Sequence, residues 1–196
     1  MYPALLVRAR SDRTILYSEN VPGADNQQER LDGYISGYVD GEGCFAVAIN
    51  RNPTCRSGYQ LVPEFHVSQN TDRAQVLSLI RDRFSGCGYI KSNGRKDRAV
   101  VYVVRRRHDL LEHVISFFER SPLLSSKQED FETFAAIVRS MALGQHRTPC
   151  GFSRLLDEAL SMNGGGRFRS VRWKETISSD PESSETVRRT RRVMPS

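Results

Sequence analysis

The residues best placed to do chemistry in this chain are two acids, Asp40 and Glu42, in the segment YISGYVDGEGCFAVAI at 34–49. Gly37, Gly41 and Gly43 surround them. Ile35, Tyr38 and Val39 recur at helical spacing, so the acids stand at the end of a helix. Each glycine inside such a helix costs about 1 kcal/mol relative to Ala. A helix built only for stability avoids that composition, and a plain turn has no use for the apolar spacing. A lone acid at a helix C-terminus is also opposed by the macrodipole. Either Glu42 is a solvated acid in a poor place, or the segment specifies a site.

The other reactive side chains form weaker patterns. Cys44, Cys55, Cys87 and Cys150 include no CxxC pair or other metal-ligand spacing, which argues against a zinc site and points to reduced thiols in an intracellular protein. His108 and His113 stand five apart on a helix, poor geometry for one metal. GGGR at 164–167 has neither the lysine nor the preceding strand of a phosphate loop. No apolar run approaches the length of a membrane span, and MYPALLV is too short for a secretory core.

The elements that must position the acids follow from periodicity. Residues 1–28 are polar and turn-rich, as in an arm or linker, and a short helix is expected from Arg30 to Asp40. GCFAVAIN alternates Phe45, Val47 and Ile49 with small or polar residues, as a half-buried strand does. YQLVPEFHVSQN alternates too, and Pro63 argues for an edge position or a bulge. TDRAQVLSLIRDRF is an amphipathic helix with Asn70 or Thr71 as N-cap and a stripe of Val76, Leu79, Ile80 and Phe84. GCGYIKSNG and RAVVYVVRR make a second strand pair. HDLLEHVISFFERSP, SSKQEDFETFAAIVRSMAL and CGFSRLLDEALSMN are helices. The predicted fold is α+β, an αββαββα core over 29–163 with a four-stranded antiparallel sheet, helices on one face and further C-terminal helices. The basic, polar end from 164 to 196 carries little expected structure.

A sheet covered on one face leaves the other open. That face would present Asn50, Gln60, Glu64, His66, Ser68, Tyr89, Lys91 and Asn93, joined by Arg105, the kinds of side chain that read base edges in a major groove. The alternative is an ordinary solvated sheet face. The net charge of +6 and pI of about 9.4 favour an anionic partner. The excess is uneven: from Gly165 to Ser196 there are eight Lys/Arg against four Asp/Glu. The run RRTRR at 188–192 either grips phosphates or solubilises the tail.

Residues 35–43, Ile-Ser-Gly-Tyr-Val-Asp-Gly-Glu-Gly, resemble the motif of the LAGLIDADG homing endonucleases. Gly37, Asp40 and Gly43 match it, and Glu42 replaces its second Asp. The element order over about 31–162 is also the family's, and FHVSQNTDR and SPLLSSKQ look like its active-site segments. The resemblance implies an enzyme that makes a metal-dependent double-strand break in a long pseudo-palindromic DNA site, encoded within an intron. Mg²⁺ is the implied ion, with Mn²⁺ able to substitute, held by Glu42 and the Gly41 carbonyl. Gln69 would orient the attacking water, Arg73 would contact the phosphate or its waters, and Lys127 would neutralise charge near the cleaved phosphate. Asp40 either assists the site or hydrogen-bonds backbone.

This chain contains one such motif, so the family's paired helix must come from a second chain, giving a homodimer. Gly33, Gly37 and Gly41 would let the two helices approach closely, with Ser36 small enough to join them and Tyr38 turned to its own core. The rival expectation is a binding protein of the same fold, an intron RNA maturase or a non-cleaving DNA binder, with intron RNA as its partner in the first case. Bacterial cytoplasm and organelle matrix are not distinguished by the sequence.

Overall fold

A computed structural model describes residues 22–92 and 98–165. Asn93, the segment 1–21 and the basic tail from 166, with its arginine run, lie outside the described residues. The element order is α1 (Pro22–Glu42), β1 (Gly43–Arg51), β2 (Tyr59–Asn70), a 3₁₀ turn (Thr71–Arg73), α2 (Gln75–Arg83), β3 (Tyr89–Ser92) and β4 (Ala99–Val104). There follow α3 (Arg107–Asp109), a π-helical stretch (Leu110–Ile115), α4 (Ser116–Arg120), α5 (Lys127–Ala142) and α6 (Pro149–Gly165). The sheet is antiparallel throughout, in the order β1-β2-β4-β3.

Alternation sets the two faces of the sheet. Phe45, Val47, Leu61, Phe65, Val67, Tyr102 and Val104 are buried on the helix side. There Phe118 packs edge-on against Phe45 at 5.3 Å and against Phe117 at 4.9 Å between ring centroids. Truncating one of these rings to Ala costs about 3–5 kcal/mol, more than any surface contact in the molecule supplies. Pro63 faces Val47 of β1, but the β2–β4 pairing starts only at Phe65. Its missing N–H therefore falls where β2 is locally an edge.

Three expectations are corrected. Helix α1 starts at Pro22, not Arg30. Proline suits a first helical position, where no N–H partner is needed, and Gln28 Nε2 donates to Asp32 Oδ1 at 2.9 Å one turn on. Neither Asn70 nor Thr71 caps α2, because a 3₁₀ turn intervenes and α2 starts at Gln75. Its buried residues are Leu77 and Ile80, while Leu79 is exposed and Val76 only half-buried. Among the described residues no helix is long and apolar enough to cross a membrane.

Candidate functional site

The site is built on the junction of α1 and β1, which follow one another with no intervening residue. Gly43 makes this possible: a Cβ there would lie 2.5 Å from Val39 Cγ1 and 2.8 Å from Val39 O. A helix end leaves carbonyls without partners. Lys127 Nζ supplies one answer, donating to Val39 O at 3.0 Å and Gly43 O at 2.7 Å. Its charge also suits the negative pole of the helix.

Asp40 is turned the same way. Its Oδ2 accepts from Leu124 N at 3.2 Å and Ser125 N at 3.0 Å, and its Oδ1 accepts from the Ser125 hydroxyl. Of the two roles open to Asp40, the structure shows the backbone one: it ties α1 to the turn before α5. Ser36 Oγ adds bonds to Ser121 O at 3.0 Å and Pro122 O at 2.9 Å. Ser36 is buried inside its own chain, which corrects its placement on the helix–helix face. With Asp40 and Lys127 engaged, Glu42 is exposed, and nothing among the described residues bonds its carboxylate.

Gln69 and Arg73 come together in a cleft of about 520 Å³ lined by Tyr34, Tyr38, Gln69, Arg73, Gln75, Val76 and Leu79. Gln69 Nε2 donates to the Tyr38 hydroxyl, and Gln69 Oε1 accepts from Asn70 N at 2.6 Å. Arg73 is exposed, 3.9 Å from Asp72. Tyr38 is therefore only half in the core: its ring packs against core residues while its hydroxyl faces the cleft. Sequence reasoning missed Tyr38 and Tyr34 as site residues, since both share helical spacing with the buried positions.

A sequence profile of the LAGLIDADG endonuclease family matches residues 35–138. The chain belongs to this family. The homing endonuclease I-TnaI, a solved structure, is 39% identical with a TM-score of 0.68, over 74% of this chain and 97% of that one. The LAGLIDADG homing endonuclease I-LtrWI, solved bound to target DNA, is 30% identical with a TM-score of 0.71, over 77% of this chain and 49% of that one. Probable intron-encoded endonuclease 2 of Neurospora crassa is 32% identical over 133 residues, 67% of this chain. The chain spans only 29% of that relative's length.

Within this LAGLIDADG unit the open sheet face carries the expected polar residues. Asn50 faces Gln60 across β1 and β2, and Gln60 Oε1 also accepts from Asn52 Nδ2 at 3.1 Å. Lys91 and Ser68 flank Val101, and Tyr89 and His66 flank Val103, so valines form the floor beneath them. Lys91 Nζ sits 5.9 Å from the Tyr89 ring centre. Glu64 is engaged within the chain: Arg105 Nε donates to its Oε2, and His66 Nδ1 lies 3.4 Å from its Oε1. Burial pushes His66 below the usual histidine pKa, partly offset by the charge of Glu64, with Arg105 and Lys91 reinforcing the fall. Its imidazole is neutral near pH 7.

Gly33, Gly37 and Gly41 lie along an exposed stretch of α1, and a Cβ at any of them would meet nothing within 4 Å. No contact among the described residues requires them to be glycine. Among the described residues, no group of three His, Cys, Asp or Glu side chains gathers to hold a metal.

Proposed function

We propose that the chain is a site-specific, intron-encoded DNA endonuclease working as a homodimer with a divalent metal, Mg²⁺, for which Mn²⁺ can substitute. One observation carries this reading. At the end of α1, Asp40 and Lys127 are used for bracing, while Glu42 stays exposed beside a glycine stripe that the described residues leave uncovered. Two such helices laid together through their glycines would bring two Glu42 carboxylates to one centre. The relatives support the pairing: the match fills 97% of one homing endonuclease but 49% of another that was solved on its target. One copy of this unit thus corresponds to about half of the longer enzyme.

The donor set fits a hard cation, since Glu42 supplies a carboxylate and Gly41 a carbonyl oxygen. One chain is short of a full ligand shell, and the second copy and DNA phosphates have the oxygens to complete it. When bound, the ion would polarise the phosphodiester and lower the pKa of a water. The chain's own residues do the rest. Gln69 retains a second Nε2 hydrogen with which to orient the attacking water. Arg73, exposed and 3.9 Å from Asp72, would contact the phosphate. Lys127 donates two of its three ammonium hydrogens to the α1–β1 junction, at Val39 O and Gly43 O, and keeps the third for charge at the cleaved phosphate.

Duplex DNA would lie on the open face, with Asn50, Gln60, His66, Ser68, Tyr89, Lys91 and Arg105 in the major groove and Glu64 among them. A twofold enzyme implies related half-sites. The four cysteines, at spacings that offer no metal-ligand pair, fit reduced thiols and an intracellular setting.

The test joins the sequences flanking the host intron into one uninterrupted duplex and adds protein. Double-strand cleavage is expected with Mg²⁺ or Mn²⁺ and should stop with EDTA. Binding without cleavage in either metal would replace this reading with a binding protein; binding of intron RNA in preference to the duplex would make it a maturase.

A further inference from the structure

Glu64 is an odd residue for a face that meets DNA, since an acid there repels phosphates. Its placement suggests why it is there. The β2–β4 register, with Phe65 opposite Val104, brings Arg105 alongside Glu64 at the end of the shared ladder. On the other side Glu64 faces Ala46, a small residue that leaves the carboxylate open to its neighbours. Both of its oxygens are then directed at side chains of this chain, Oε2 at Arg105 Nε and Oε1 at His66 Nδ1. The Glu64 side chain is 19% exposed, while Arg105 is 48% and His66 29% exposed. The acid therefore sits beneath the two groups that it touches. Exposed ion pairs add little to stability, so the pair is poorly explained as a stability device.

The chemistry of the outer atoms follows from what Glu64 occupies. With Nε engaged, Arg105 keeps its Nη hydrogens, which suit the paired O6 and N7 acceptors of guanine. His66 Nδ1 is buried with no hydrogen-bond partner among the described residues, and Glu64 Oε1 lies 3.4 Å from it, so the carboxylate favours the tautomer with the proton on Nδ1. That leaves Nε2 as an acceptor toward the open side. We propose that Glu64 is a positioning residue for sequence recognition: it presents Arg105 as a donor to guanine and His66 Nε2 as an acceptor for the amino group of cytosine or adenine. The inference rests on the DNA-endonuclease reading and adds to it which bases this patch selects.

Two measurements test it. In the first, the native protein, Glu64→Gln and Arg105→Ala each select from a pool of randomised duplex DNA. Arg105→Ala should weaken a guanine preference at one half-site position about tenfold. Glu64→Gln should weaken the preference at the same position by a comparable factor, although it touches no base, and leave distant positions unchanged. A Glu64→Gln effect at a different position, or none, overturns the proposal. The second measurement needs no DNA and follows the His66 imidazole by NMR titration. Glu64, Arg105 and Lys91 are the charged groups acting on it, with Cys44 opposite on β1. Its midpoint should fall further in Glu64→Gln and rise in Arg105→Ala; unchanged midpoints contradict the arrangement. Shifted midpoints with no selected sequence would place the failure in the DNA reading and would remove the recognition role with it.

Discussion

Two carboxylates near the end of α1 are put to different uses. Asp40 is spent on the backbone of the turn before α5, and Glu42 is left to solvent. The motif pointed to Glu42 as the metal ligand but left the role of Asp40 open, because the partners of Asp40 lie some 85 residues along the chain. The same holds for Lys127, whose ammonium crosses 84 residues to reach Gly43 O. A third acid, Asp32, bears on stability. Arg83 donates to it from Nε at 2.6 Å and from Nη2 at 2.7 Å, joining α1 to α2. The Arg83 hydrogen bonds hold Asp32 below its ordinary pKa of 3.8, against the opposing effect of burial. The folded state thus binds this proton less readily than the unfolded chain. The stabilisation is complete above pH 3.8 and is lost as pH falls through the depressed folded value. Asp32→Asn should lower stability near neutrality by on the order of 1 kcal/mol. Urea unfolding across pH should show the gap from the native protein closing in acid.

At the scale of elements, α1 presents glycines that meet nothing among the described residues. Gly37 is an exposed mid-helix glycine with open space around its missing side chain. Gly37→Ala should therefore stabilise the separated chain by up to about 1 kcal/mol, yet weaken self-association by crowding the partner helix. Thermal melts at low concentration and sedimentation at high concentration read the two effects separately. Stabilisation with unchanged association would remove the glycine stripe from the interface. The strands were legible because period-2 alternation leaves little choice of face, and β2 follows it from Tyr59 to Ser68. Helix α2 was less so. Val76 and Leu79 share a helical spacing with Ile80, but so does Leu77, and the 3₁₀ turn at Thr71–Arg73 decides which of them face inward. The π-helical stretch at Leu110–Ile115 had no signal in the apolar pattern at all.

At the scale of the molecule, the arrangement is a sheet with one greasy and one polar face, and the exposed Glu42 at the sheet's margin. Element order and open face could be read from the sequence; register could not. The offset that places Arg105 beside Glu64 arises from β2 running past β4, and local periodicity is silent about it. In the proposed dimer, Glu42 from each of two copies completes the cutting site. The direct measurement compares the native protein with Glu42→Gln on the reconstructed, uninterrupted duplex with Mg²⁺, scoring binding and double-strand cleavage in parallel. The variant should bind as the native dimer does and cleave at least about a hundredfold more slowly. Cleavage at the native rate by Glu42→Gln would contradict it.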